Sequence, residues 1–298
     1  MSRQFILHFR FGMILLVLGL SACSGQHPVR TEPTFPSKNY YRILITNDDG
    51  IQSEGIRQLA IAVAEFAEVV VVAPEKNESG ASQSSRILSV RAQATPVEIS
   101  DSVVAYALNG TPADCTAFGI RAFGRDEPFD LVLSGINDGG NYGSAYQVSG
   151  TVGAAFQALA DGIPAIAVSQ DAKRETFDLS VEFTTGVVKS LLANPMPSGV
   201  LLSINVPAGD IQGVRALPGV GEAYLVEVEP ATDDEGDYYK PVFMVNKQLE
   251  RGTDLKAYQN GFITVTPLKK DRNDYGSLEA LGKRSFIEGW SGGKSSAR

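Results

Sequence analysis

Histidine is almost missing from this chain. Only His8 and His27 occur in 298 residues, and both precede the first segment that reads as a folded strand. A Ser-His-Asp or Cys-His apparatus therefore cannot be assembled in the folded part, and neither can a histidine-ligated zinc site. Cysteine is equally scarce, with Cys23 and Cys115 alone, so no disulfide framework supports the fold. Positive charge is in deficit: 26 Lys and Arg stand against 34 Asp and Glu, a formal net charge of −8. An acidic chain repels polyanions, which argues against a nucleic-acid duplex as partner. A small phosphorylated substrate is compatible with that charge when a cation sits in the site. No internal repeat is visible.

The first forty residues read as targeting and tether. Arg3 and Arg10 form a basic stretch before an apolar run, FGMILLVLGL (11–20), too short to span a bilayer as a helix. LSAC, ending at Cys23, resembles a bacterial lipobox. It implies a signal peptide over 1–22, cleavage before Cys23 and lipidation of that cysteine, with a plain signal peptide as the alternative. The chain is then expected to be exported and held on the periplasmic side of the cell envelope, touching membrane through its lipid anchor only. Residues 23–40 are polar, hold several prolines and read as a tether. With Cys23 lipidated, Cys115 is alone and is expected to be a buried helix residue.

From residue 41 the pattern alternates. YRILI (41–45) reads as a strand and runs into TNDDG (46–50). Asp-Gly is a hairpin signal, but the next segment is SEGIRQLAIAVAEFA (53–67), with Ile56, Leu59, Ala60, Val63 and Ala67 at helical spacing and Ser53 placed as N-cap. EVVVVAP (68–74) is a β-branched run of the kind buried on both faces of a sheet. Strand, helix and buried strand make a parallel βαβ unit. Segments near 86–99 and 102–108 look extended, and 111–123 reads as a helix. FDLVLSG (129–135), PAIAVSQ (164–170) and VLLSINVP (200–207) read as strands, and 151–162 and 176–193 as helices. The expected fold class is α/β: a Rossmann-like, doubly wound, mostly parallel sheet over 41–207, then a β-rich C-terminal extension over 208–298. In that extension YLVEVEP (224–230), YYKPVFMVNK (238–247) and GFITVTPL (261–268) read as strands, and TDDEGD (232–237) as a solvated loop.

Ligands of open parallel sheets bind at the carboxyl ends of the strands. The loops leaving those ends offer Asp48 and Asp49, the Ser79 hydroxyl and the Asn137 amide oxygen. This all-oxygen set suits one hard divalent ion such as Mn²⁺ or Mg²⁺. A cation also removes the repulsion between adjacent carboxylates. Taken singly, Ser79 is also a turn serine and Asn137 a residue suited to the left-handed region. SGT (149–151) opens a predicted helix, whose first amides favour a phosphate. A plain N-cap is the competing reading of Ser149.

RILITNDDGIQSEGI (42–56), VVAPEKNESGAS (71–82), LNGTPADC (108–115), SGINDGGNYG (134–143), VSGTVGAA (148–155), INVP (204–207) and GFITVTPL (261–268) together resemble the SurE survival-protein family of metal-dependent 5′/3′-nucleotidases. The resemblance implies metal ligands at Asp48, Asp49, Ser79 and Asn137. It implies phosphate-side residues at Ser149, Gly150 and Thr151, with Gly110 and Thr111 beside them, and Asn47 as neighbour of the acidic pair. It implies hydrolysis of nucleoside 5′- or 3′-monophosphates by a metal-activated water, with Asp48 or Asp49 orienting that water or taking its proton, and subunit contacts through the extension, as a homodimer or homotetramer. The alternatives are a broad phosphatase or exopolyphosphatase and a non-enzymatic surface lipoprotein. A phospho-aspartate mechanism is disfavoured, because Asn47-Asp48-Asp49 lacks the Asp-x-Asp spacing that chemistry uses.

Overall fold

A computed structural model describes residues 40–87, 91–219, 221, 224–246 and 251–271. The expected signal peptide, the lipidation site Cys23 and the tether up to residue 39 lie outside the described residues, as does the polar tail. The order begins β1 (Tyr41–Thr46), α1 (Glu54–Ala64), β2 (Ala67–Pro74), β3 (Ala94–Pro96), β4 (Val103–Leu108) and α2 (Pro112–Phe123). It continues with β5 (Leu131–Asp138), a 3₁₀ turn (Gly143–Gln147), α3 (Gly150–Ala160), β6 (Ala165–Gln170), α4 (Asp178–Ala193) and β7 (Val200–Val206). The last third holds β8 (Gly213–Ala216), β9 (Tyr224–Asp233), β10 (Gly236–Val245), α5 (Asp254–Gln259) and β11 (Phe262–Lys269).

Nine of these strands form one sheet, in the order β3-β4-β2-β1-β5-β6-β7-β11-β8. The six from β4 to β7 run parallel to their neighbours, while β3 and β11 run antiparallel to β4 and β7. Alternate residues of β1 face opposite layers. Ile43 and Ile45 join a core with α1 residues Ile56, Leu59 and Val63, and Leu44 joins a second core with Cys115, Val152 and Phe156. Ile43, Leu44 and Ile45 are fully buried, and each such side chain contributes about 1.5–3 kcal/mol of burial. That two-sided burial is why β1 and β2 read as continuous apolar runs. Cys115 is a free thiol buried in α2, and burial pushes its pKa well up.

The helix expected to reach residue 67 stops at Ala64, and Ala67 already belongs to β2. Among its described residues, the extended stretch near 86–99 contributes only β3 to the sheet. The sheet also does not stop at residue 207. β11 pairs with β7 over Val200–Asn205 and carries β8 on its other side, so the region beyond 207 is partly sheet. Only β9 and β10 stand outside, as an antiparallel hairpin whose turn lies in the acidic run TDDEGD. Among the described residues, no helix is long and apolar enough to cross a membrane.

Candidate active site at the switch between β1 and β5

β1 is flanked by β2 on one side and β5 on the other. The chain leaves β1 through α1 to reach β2, and arrives at β5 through α2, on the opposite layer. The loops therefore part at the carboxyl ends of β1 and β5, the place where open α/β sheets bind ligands. Asp48 and Asp49 leave the end of β1, and Asn137 stands at the end of β5.

Asp48 is only 3% exposed. Its Oδ1 accepts the Thr151 hydroxyl at 2.6 Å. Gly150 lies so close that a Cβ there would sit 2.8 Å from Asp48 Cβ and 2.9 Å from Oδ2. Burial raises the pKa of Asp48, against the hydrogen bonds from Thr151 and the amides of Thr151, Asp48 itself and Gly150. Asp49 is pushed up to about 6, first by burial and next by the charge of Asp48. The Asp138 amide opposes this by donating to Asp49 Oδ2 at 3.1 Å. Among the described residues, neither carboxylate takes part in an ion pair.

The neighbouring loops lean on the same pair. The Glu78 amide donates to the Asp48 carbonyl at 2.7 Å, and Asn77 Nδ2 reaches Asp49 Oδ1 at 3.4 Å. Ser79 comes next in the chain, exposed, its amide fixed by Asn77 Oδ1 at 2.9 Å. Asn137 Nδ2 donates to the Gly139 carbonyl at 2.5 Å, which leaves the amide oxygen as an available acceptor. The β5–β6 register slips between Ser134 and Asn137, and such an irregularity re-aims a side chain. Gly135 makes it possible: its φ is +139°, and a Cβ would lie 2.3 Å from the Val168 carbonyl oxygen. Asn137 itself is not in the left-handed region.

One buried and one half-buried carboxylate side by side, with neutral oxygen donors on the adjoining turns, fit a hard divalent ion. Among the described residues no group of three or more His, Cys, Asp or Glu is placed to hold a metal. Ser79 and Asn137 are the neutral oxygen donors on the turns next to the acidic pair.

The remaining expected residues have definite places. Asn47 is buried, and its Nδ2 donates to the Gly50 carbonyl at 2.9 Å and to Ser53 Oγ at 2.8 Å. It staples the acidic turn to the start of α1. Ser53 holds the N-cap position but makes no side-chain cap bond, because its hydroxyl serves Asn47 instead. Ser149 is the N-cap of α3 and accepts the Val152 amide at 3.1 Å. The Thr151 hydroxyl and the amides of Gly150 and Thr151 serve Asp48, and the Val152 amide serves Ser149, so the positive end of α3 is turned on the Asp48 carboxylate. Thr111 caps α2, and its hydroxyl hydrogen goes to the Ser84 carbonyl at 2.6 Å. That commitment gives it the task of holding a loop. Gly110, beside it, lines a cavity of about 290 Å³ with Lys76, Glu78 and Arg86.

Several supporting residues carry no local signal in the sequence. Asn205, in the INVP segment, is buried and pairs with the Asn141 backbone through two bonds of 2.7 Å. Asn141 Nδ2 also reaches Ser169 Oγ at 2.9 Å. Asp254, at the start of α5, accepts the Gly143 amide at 3.1 Å and the Tyr146 hydroxyl. Burial and the Asp254 charge raise the Tyr146 pKa. The glycine-rich loop after Asn137 is thus pinned by β7 and by α5. The segment INVP is itself visible in the sequence, but its partner lies 64 residues away.

Comparison with known proteins places the chain in a family. The family model described as survival protein SurE matches residues 43–224. The 5′-nucleotidase SurE of Aeromonas hydrophila is 34% identical over 258 residues, covering 83% of this chain and all of that protein. The 5′/3′-nucleotidase SurE of Cronobacter sakazakii is 37% identical over 245 residues, covering 80% of this chain and 94% of that protein. The crystal structure of the SurE protein from Aquifex aeolicus superposes with a TM-score of 0.71 at 32% identity, over 83% of this chain and 99% of that one. With a paired-aspartate turn at the β1–β5 switch and relatives matched almost end to end, the chain belongs to the SurE survival-protein family.

Proposed function

We propose that this chain is a divalent-metal-dependent 5′/3′-nucleotidase acting on nucleoside monophosphates. The observation that carries the reading is the convergence of separate turns on one acidic pair: Thr151 and Glu78 bond Asp48, while Asn77 and Asp138 bond Asp49. Asp48, Asp49, Ser79 and Asn137 are the residues that would hold the ion. When bound, a divalent ion polarises a phosphoryl oxygen and lowers the pKa of water. The chain supplies the rest. Thr151 fixes the Asp48 carboxylate, and Asp49, the less buried of the two, faces outward where it can orient a water or take its proton. The first turn of α3 directs helix-end positive charge to the same place, where phosphate oxygens gain charge during transfer. The test is phosphate release from 5′- and 3′-monophosphates by the purified chain with Mn²⁺, with Mg²⁺ and with chelator. Absence of release from every monophosphate with either metal overturns the reading.

We also propose that Cys23 carries lipid and anchors the protein on the periplasmic side, on the strength of the leader pattern. Cys23→Ala should then move the protein from the membrane to the soluble fraction. Assembly has its own candidate surface. The β9–β10 hairpin exposes Val226, Val228, Tyr238 and Tyr239, and an isolated two-stranded ribbon is marginal alone. The homodimer or homotetramer is proposed to form through it, and Tyr239→Asp should lower the mass measured by light scattering.

A further inference from the structure

Asp114 is a carboxylate in the first turn of α2, 1% exposed. It has no assigned place in binding or chemistry, yet four donors converge on it. Ser85 Oγ donates to Oδ1 at 2.6 Å, and the amides of Arg86, Thr111 and Ile87 reach Oδ2 at 2.8, 3.1 and 3.3 Å. Burial works against its charged form, but the bonds from Ser85, Arg86 and Thr111 overcome that and hold its pKa below the usual carboxylate value. A capping box for α2 requires only the Thr111 amide. The three remaining donors all come from residues 85–87, far from α2 in sequence.

Those residues lie in the segment that follows β2 and carries Ser79. Three further links tie this stretch to α2 and to the acidic pair. The Thr111 hydroxyl holds the Ser84 carbonyl at 2.6 Å. The Arg86 guanidinium pairs with Glu78 at 2.7 Å. The Glu78 amide in turn bonds the Asp48 carbonyl at 2.7 Å. At its middle the loop is latched again: the Ser82 amide and hydroxyl donate to Val148 and Gln147 carbonyls at 3.1 and 2.7 Å. Ser82 takes a φ of +54°, a conformation that surrounding structure must enforce in a non-glycine residue.

We propose that Asp114 is a positioning residue for the active site, pinning residues 84–87 to α2 and so fixing, through Arg86 and Glu78, the placement of Ser79 beside Asp48. The inference rests on the reading of Ser79 as a metal ligand. It gives Asp114 the role that outer-sphere partners play around metal ions, where loss of one partner costs tenfold or more in affinity. Asparagine can substitute in part. Its amide oxygen accepts the three backbone donors, and its NH₂ can donate to a Ser85 hydroxyl turned to accept.

The test measures Mn²⁺ binding by the full chain from the electron-paramagnetic signal of free Mn²⁺, with kcat and KM for a nucleoside monophosphate measured alongside. Asp114→Ala is expected to weaken Mn²⁺ binding by about tenfold or more and to lower kcat more than it raises KM. Asp114→Asn should stay within about threefold of wild type, because its amide oxygen still accepts from the backbone amides. Wild-type Mn²⁺ affinity and kcat in a folded Asp114→Ala protein would overturn the proposal. If that variant lacks a cooperative thermal transition, Ser85→Ala and Arg86→Gln decide, since each cuts one side-chain link and leaves the amide bonds in place. Weaker Mn²⁺ binding in either supports the inference, and wild-type binding in both overturns it. Failure of the wild-type chain to bind Mn²⁺ at all would remove the metal-site reading itself and this inference with it.

Discussion

The hydroxyl of Thr151 donates to Asp48 across 2.6 Å and joins residues 103 positions apart. It ties the turn after β1 to the first turn of α3 and fixes the orientation of a carboxylate whose pKa burial raises even against that bond. Thr151→Val keeps the shape but removes the bond. It should weaken Mn²⁺ binding by about 10–100-fold, the cost of losing a partner that orients a metal ligand. Thr151→Ser should retain most of the affinity, and titration of Mn²⁺ against the two variants measures the difference.

Asp48→Asn and Asp49→Asn each remove a charged oxygen ligand while preserving volume. Each should lower kcat by more than about a hundredfold, beyond the loss of a supporting partner. Far-UV circular dichroism should be unchanged, because neither side chain belongs to the apolar core. Turnover near wild type in both variants would end the proposed mechanism.

The Asp49 pKa of about 6 has a definite sign in stability. The folded value lies above the unfolded one of 3.8. The contribution is therefore complete below pH 3.8 and is lost as pH rises through 6. In chelator, Asp49→Asn should gain thermal stability relative to wild type as pH rises across that range. Mn²⁺ competes with the same proton, so wild-type Mn²⁺ affinity should climb over that window and then level off. A flat affinity from pH 5 to pH 7 (about one unit either side of 6) would contradict this electrostatic picture.

Gly153 lies in α3 under the loop that carries Ser79. A Cβ there would sit 2.1 Å from the Ser82 carbonyl oxygen, so Gly153→Ala must push the loop away or strain the helix. Overpacking of this kind costs about 1–3 kcal/mol, which calorimetry should register as a lower Tm. Nucleotidase activity should fall further than stability, because the displaced segment is the one latched beside Asp48.

Much of the architecture is legible in the sequence, and the reason is local. A run such as Val69–Val72 buried on both faces cannot read as anything but an inner parallel strand, and the Ile56–Leu59–Val63 stripe marks α1 directly. The acidic turn is legible as a site because it ends a strand and opens a helix. β8 is not, because it is four residues long and mostly exposed. α5 is hidden because six residues give too little periodicity. The tasks of Thr111, Asp114 and Asn205 are hidden for another reason. Each is a polar residue whose meaning lies in a distant backbone group, and no local pattern encodes that partner. The family resemblance groups Thr111 and Thr151 with the phosphate, yet their hydroxyls hold Ser84 and Asp48.

β11 enters the sheet between β7 and β8, although both precede it in the chain. Until residue 269 has been synthesised, β7 presents an open row of amides and carbonyls that β11 alone is shaped to close. A nascent chain halted shortly after residue 207 would thus expose a sticky border to its neighbours until the whole strand set is present.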